Sequence, residues 1–287
     1  MICNLCPRRC GVDRSEKPGV CGMRSGLRIA RAALHFWEEP VISGTNGSGT
    51  VFFSGCNLRC VYCQNHNISA DGFGKEVSPQ RLREIFEDLI AQGAHNINLV
   101  TPTHFVPWIL PALEPKLPVP VVYNCGGYES LDTLRLLEGK VDIWLPDLKY
   151  ADETLAERLS GAKDYFPVAT AAIQEMYRQV GDYIIENGIL QRGVVIRHLV
   201  LPGYLENTKR CIDWVARAFQ PGQVLFSLMA QYTPQPGAVG PLARHVTAAE
   251  YRAAVEYMAN CGIIDGFTQL RTSAKEEYTP PFDLTGV

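Results

Sequence analysis

Thr50-Val51-Phe52-Phe53-Ser54-Gly55-Cys56-Asn57-Leu58-Arg59-Cys60-Val61-Tyr62-Cys63-Gln64-Asn65 decides the fold. Its first residues read as a short β-branched and aromatic strand, and Gly55 lets the backbone turn tightly out of it. Three cysteines follow at Cys-x3-Cys-x2-Cys spacing. Beyond them, strand-sized apolar runs recur at 96–101, 119–124, 141–148, 193–199 and 224–229, with a weaker seventh near 263–267. Such continuous apolar runs suit strands buried on both faces. Strands alternating with amphipathic helices predict a parallel sheet with right-handed crossovers. The expected fold is α/β, a partial (β/α)6 TIM-like barrel, with its chemistry at the C-terminal strand ends.

The helices between the strands have readable ends. Ser78 is expected as an N-cap with Pro79 at the first helical position. Leu82, Ile85, Phe86, Leu89 and Ile90 then form one apolar stripe that closes at Gly93. Thr247-Ala248-Ala249-Glu250 is a capping box opening the last long helix, which stops at Gly262. A long helix is predicted over 166–185, and Asn207 is expected to cap the helix that carries Cys211 and Trp214. Six prolines between Pro102 and Pro120 predict short helical turns there.

Residues 1–49 read differently, as a cysteine-rich N-terminal extension to a core over 50–287. They carry Cys3, Cys6, Cys10 and Cys21, many glycines and arginines, and little periodicity. Gly44-Thr45-Asn46-Gly47-Ser48-Gly49 reads as a turn, and no Gly-Lys-Ser/Thr closes it into a phosphate-binding loop.

The net charge of −3 over 287 residues lacks the basic footprint of a nucleic-acid binder. No apolar run approaches the roughly 18 residues of a membrane span, and the first residues do not resemble a signal peptide. The expectation is a soluble cytoplasmic protein with neither membrane nor nucleic acid as partner. Seven of the ten cysteines fall within the first 63 residues. In a reducing cytosol such clustering points to metal or redox chemistry rather than disulfides. Cys125, Cys211 and Cys261 stand alone, and the last two read as buried, inert thiols on helices.

Cys56, Cys60 and Cys63 can converge on one cube of iron and sulfide. Four-iron clusters normally take four cysteines, so three leave one iron open, as a catalytic metal requires. Zinc would need a fourth ligand, for which His66 is the nearby candidate. Cys3-x2-Cys6-x3-Cys10-x10-Cys21 has enough thiolates to saturate a further site. Its spacing leaves a second iron–sulfur cluster, zinc and free thiols all open.

Cys56-x3-Cys60-x-Tyr62-Cys63, with an aromatic before the last cysteine, resembles the signature of the radical S-adenosylmethionine (SAM) superfamily. Nearly the whole chain is similar to proteins related to the pyruvate formate-lyase activating enzyme whose substrates are mostly unassigned. Cys6-Pro7-Arg8, Glu38-Glu39-Pro40, Thr101-Pro102-Thr103-His104, Leu145-Pro146-Asp147-Leu148-Lys149, Arg197-His198-Leu199 and Met229-Ala230-Gln231-Tyr232 carry that likeness. The resemblance implies a [4Fe-4S] cluster on Cys56, Cys60 and Cys63, whose open iron is chelated by SAM. It implies reductive cleavage of SAM to a 5′-deoxyadenosyl radical that abstracts hydrogen from a substrate, with a flavodoxin or ferredoxin as reductant. The substrate is expected to be a glycyl radical protein or, alternatively, a small metabolite. An iron–sulfur electron carrier is the reading from another class. The chain departs from the family in having Thr101-Pro102-Thr103 where many members have Gly-Gly-Glu, and in lacking a ferredoxin-like insertion.

Strand-end residues complete the expected site. Lys149 or Arg197 would pair with the SAM carboxylate, Asn124 would bond its ribose or carboxylate, and Tyr62 would lie against the adenine. The bland alternative makes Asp147 and Lys149 a surface pair and Arg197 a packing residue. Gln231 follows the sixth strand. Cys125 reads as part of a flexible loop or as a hydrogen donor. His66 and His104 read as structural histidines or as acid–base groups.

Overall fold

The computed structural model describes residues 2–269 and 280–287. Its strands are β1 Leu27–His35, β2 Ser48–Phe53, β3 Lys75–Val77, β4 Ile97–Val100, β5 Val121–Cys125, β6 Ile143–Pro146, β7 Ile184–Glu186, β8 Ile189–Leu199, β9 Leu225–Met229 and β10 Gly266–Thr268. The helices are α1 Pro40–Ser43, α2 His66–Ser69, α3 Pro79–Ala91, α4 Val106–Ile109, α5 Leu131–Leu136, α6 Glu153–Ser160, α7 Tyr165–Val180, α8 Leu205–Ala218 and α9 Ala248–Asn260. The sheet runs β10-β9-β8-β6-β5-β4-β2-β1-β3, with β7 paired to β8 off that path. From β2 through β4, β5, β6, β8, β9 and β10 every pairing is parallel, in chain order. This is the expected partial barrel, and β10 answers the weaker seventh strand. No helix among the described residues is long and apolar enough to cross a membrane.

The helix ends follow local chemistry. Ser78 Oγ accepts the Arg81 N–H at the start of α3, and both halves of the Thr247–Glu250 capping box are formed at α9. The proline-rich stretch breaks into two 3-10 turns around the short α4.

Four departures have physical reasons. Residues 27–35 form a nine-residue strand, β1, antiparallel to β2, so this cysteine-free stretch of the 1–49 segment joins the core sheet. Its arginines and alanines, and a register shift between Ile29 and Arg31, hide the alternation. The three-residue β3 pairs with β1 and is too short to show a period. The predicted 166–185 helix stops at Val180, and 184–186 instead pair back onto β8 through Asn187-Gly188, both at positive φ. That dipeptide suits a tight hairpin. Finally, Asn207 lies inside α8, where Tyr204 is the cap.

Strand parity sets the interior. Val122, Ile143, Leu145, Leu190, Val195 and Leu225 form one buried cluster with Ile42 of α1. Side chains two residues apart share a sheet face. The same face therefore continues upward as Asn124 on β5, Asp147 and Lys149 beyond β6, and Arg197 on β8. The lower layer is apolar and the upper one charged.

Candidate active site

The charged layer opens into a cavity at the C-terminal strand ends. Cys56, Cys60 and Cys63 line it together with Thr101, Asn124, Asp147, Lys149, Arg197 and Gln231. The cysteine loop follows β2 at Gly55, whose φ is +80°. A side chain there would meet the Cys21 carbonyl oxygen at 2.8 Å and His104 Nε2 at 3.1 Å, so glycine is required by space as well as by backbone. Each sulfur has a donor: the Leu58 N–H reaches Cys56 Sγ (3.4 Å), Ser160 Oγ reaches Cys60 Sγ (3.0 Å) and Ser69 Oγ reaches Cys63 Sγ (3.3 Å). Burial, with Cys60 beside it, pushes the Cys56 thiol up to about 12, and burial raises Cys63 as well. Without a cation these groups remain thiols. Among the described residues no three His, Cys, Asp or Glu side chains are gathered around one metal position, so the sulfurs have still to turn inward. Metal must expel the protons as it binds.

The charges are more heavily engaged with one another than the sequence suggests. Lys149 Nζ bonds Asp147 at 2.6 Å, and Arg197 Nε bonds the other Asp147 oxygen at 3.0 Å. Arg197 spends its remaining nitrogens on Glu38 (3.2 Å) and Asn124 Oδ1 (2.6 Å). Burial opposes ionisation of Asp147, but Arg197 and Lys149 together hold its carboxyl below the usual range. Burial likewise opposes the charge on Lys149, yet Asp147 and Cys60 raise its affinity for the proton. Arg197 is thus a buried organiser whose three nitrogens all have protein partners, not a free cation awaiting a carboxylate. Lys149 keeps donors beyond its one ion pair and stands near the thiols. With side chains only 15% and 18% exposed, Asp147 and Lys149 are no surface pair, whereas Arg197, its nitrogens all engaged by protein, keeps the packing role of the bland alternative.

Glu38 went unassigned in the sequence. It lines the cavity and accepts from Asn98 (3.3 Å), Asn124 (3.2 Å) and Arg197. Burial raises its proton affinity against the pull of Arg197. The one signal was two adjacent glutamates before Pro40, which says nothing of burial. Thr101 lies at the end of β4 with φ +60°, an outlier for a β-branched residue. Its N–H donates to the Asn124 carbonyl at 2.8 Å. Such strain costs on the order of 1–3 kcal/mol and gathers at functional sites.

Other expected residues fall elsewhere. The Tyr62 ring turns away from the cavity into a cluster with Tyr150 and Tyr232, its hydroxyl 2.7 Å from that of Tyr150. His104 is buried, its Nε2 2.7 Å from the Ser54 carbonyl, and burial lowers it to about 3. His66 is exposed beside Asp71. His198 is held between Leu148 O and Thr208. Cys125 lines the cavity edge, buried, with its thiol against Glu129. Cys211 is fully buried, whereas Cys261 caps α9 and is half-buried. Cys3, Cys6 and Cys21 are buried and Cys10 half-buried, beneath the cysteine loop.

Comparison with known proteins adds the family. A protein of Methanocaldococcus jannaschii, MJ0674, described as uncharacterised, is 31% identical over 246 residues, covering 81% of this chain and 66% of that protein. Streptococcus suis SuiB bound to its precursor peptide SuiA superposes with a TM-score of 0.52 at 13% identity, over 75% of this chain and 46% of that one. SuiB bound to S-adenosylmethionine gives the same TM-score and identity, over 48% of its length. The chain therefore spans about two thirds of the first relative and about half of the second. At that identity SuiB shows a shared fold alone. The model of the Radical SAM superfamily matches residues 50–215, from β2 and its cysteine loop into α8. With that match laid over most of the barrel and its three-cysteine mouth, the chain belongs to the radical SAM superfamily.

Proposed function

We propose that Cys56, Cys60 and Cys63 hold a [4Fe-4S] cluster in this cavity and that the protein cleaves SAM there. The observation that carries the reading is the convergence of three cysteines and the Asp147–Lys149–Arg197–Asn124 network on one opening. The residues fit the cluster: all three sulfurs line the cavity, each has a hydrogen-bond donor, and Lys149 offers positive charge beside Cys60 and Cys63. Bound there, cluster and SAM would supply one-electron cleavage to methionine and a 5′-deoxyadenosyl radical that abstracts hydrogen. The chain's own residues orient and shield. Lys149 has donors left for a carboxylate, and Asn124 and Gln231 add polar contacts at the wall. Arg197, Asp147 and Glu38 hold that wall rigid. The Tyr62–Tyr150 pair and Ser160 pack behind Cys60 and keep water from that side.

The substrate reading is a polypeptide, as in activation of a glycyl radical protein. Trp37 lines the cavity yet is 59% exposed, and Phe36 beside it is 50% exposed. A largely exposed tryptophan at the cavity rim, with a second exposed aromatic next to it in the chain, suits docking of a polypeptide better than enclosure of a metabolite. An electron donor such as flavodoxin or ferredoxin is required.

The test is anaerobic reconstitution with iron, sulfide, SAM and dithionite. Wild type is expected to release 5′-deoxyadenosine and methionine, and Cys56→Ala, Cys60→Ala and Cys63→Ala to release neither. Undiminished cleavage by any one variant would refute the ligand assignment. A glycine-centred paramagnetic signal in an added partner protein supports the polypeptide reading, and hydrogen transfer to a small molecule alone replaces it.

A further inference from the structure

Residues 2–26 contain none of the helices or strands named above, yet Cys3, Cys6 and Cys21 among them are buried. Two backbone turns place them. In the first, the Cys3 N–H donates to Val12 O (2.9 Å), the Gly11 N–H donates to Cys3 O (3.1 Å), and Ile2 pairs with Asp13. Cys6 and Cys10 lie in the loop between. In the second, the Gly19 N–H donates to Met23 O (3.0 Å) and the Gly22 N–H to Gly19 O (2.9 Å), with Cys21 at the tip. The turns meet at Gly19, where an added Cβ would stand 3.4 Å from both the Cys10 and the Cys21 sulfur. Cys3 and Cys10 are hydrogen-bonded through their side chains, and Cys6 lies within electrostatic reach of Cys3 and Cys21.

The sulfurs are also dressed with backbone donors. The N–H of Arg8 reaches Cys6, that of Val12 reaches Cys10 and that of Met23 reaches Cys21, each from two residues on. The cluster loop repeats the pattern, with Leu58 on Cys56 and Asn65 on Cys63. Burial pushes the Cys6 thiol up to about 12 and raises Cys21, and these N–H groups pull the other way. A segment this short and polar has little core of its own, and a metal staple compensates.

We propose that Cys3, Cys6, Cys10 and Cys21 bind one zinc ion as a tetrathiolate that splints this segment against the cluster loop. The site stands apart from the SAM-cleaving reading and does not depend on it. The four sulfurs are not yet gathered on one point; a single ion asks only that they turn inward until neighbours lie roughly 3.5–4 Å apart, as in tetrahedral zinc. A cube would place each cysteine on its own iron, with sulfide between. Zinc displaces the thiol protons as the sulfurs turn onto it, without change of oxidation state. The splint reaches the active site directly: Cys21 O accepts the Cys56 N–H (3.2 Å), and Arg8 Nε donates to Asn57 O (2.7 Å).

Metal analysis tests the site. Reconstituted wild type should carry one zinc beside four irons. A Cys56→Ser/Cys60→Ser/Cys63→Ser variant should keep the zinc and lose the iron, with zinc-edge absorption showing four sulfurs at about 2.3 Å. Eight irons in wild type, four in the triple variant, or no zinc in either overturns the proposal. Stripping zinc from wild type with a chelator should speed tryptic cleavage after Arg8, Arg14 or Arg24. Unchanged cleavage removes the splinting role.

Discussion

Glu129 shows what single residues contribute beneath the cavity. Its carboxyl is buried and receives hydrogen bonds from Thr103 (2.8 Å) and Tyr123 (3.4 Å). Burial outweighs those bonds and lifts it to about 8. The folded state thus binds its proton more tightly than the unfolded chain does. Its contribution to stability is full below the ordinary carboxylate range and is lost as pH rises towards 8, by up to about 1.4 kcal/mol per pH unit. Glu129→Gln should flatten the urea-unfolding free energy between pH 5 and 8. A slope equal to that of wild type would show that another group sets it. Such behaviour is not legible in the sequence, where Glu129 is one acid in a glycine-rich loop. The same limit hid the pairing of Arg197 with Asp147, because partners fifty positions apart meet only once strand parity is combined with register. The cysteine loop was legible because its chemistry is local: three ligands within eight residues need no tertiary information.

At the scale of elements, α8 works as a latch on the active site. Asn207 Oδ1 accepts the N–H of Ala151 (2.8 Å) and of Asp152 (3.3 Å), while Nδ2 donates to Lys149 O (3.0 Å). One side chain holds the segment that presents Lys149. Asn207→Ala should cost about 1–3 kcal/mol by stranding buried backbone groups. It should also slow SAM cleavage at saturating cofactor, whereas Asn207→Asp keeps the acceptor and should lose less. Thermal unfolding and 5′-deoxyadenosine assays check both, and equal losses in the two variants would contradict the latch. Elements with local signals were readable here. Ser78 and Thr247 cap as expected, and the prolines after Pro102 give turns. The β7–β8 hairpin was missed although Asn187-Gly188 announced it, since the apolar pattern of α7 runs on smoothly into Ile184 and Ile185. An apolar residue alone does not say whether it continues a helix or starts a strand.

For the whole molecule, the partial barrel leaves one side to be finished by both ends of the chain. β1 takes β2 on one edge and on the other meets β3 and residues 284–285. There the Leu284 N–H donates to Ala30 O (3.0 Å) and the Ala32 N–H to Thr285 O (2.8 Å). Phe282 stacks edge-on to Phe52 at 5.4 Å, Asp283 pairs with Arg31 (2.8 Å), and Pro280 lines the cavity. Deleting residues 280–287 should uncover the β1 edge, lower the thermal midpoint and promote association through the bare strand. Calorimetry and light scattering read both effects. An unaltered midpoint with a monodisperse sample would show that the tail adds little.

The hydroxyls and the ammonium gathered on the cysteine sulfurs have a consequence for energetics as well as for shape. Ser160, Ser69, the Leu58 amide and the neighbouring Lys149 all draw electron density from Cys60, Cys63 and Cys56. With a cluster on those sulfurs, each donor stabilises the more negative state and moves the midpoint potential upward. The cavity wall would therefore lower the driving force demanded of a reductant.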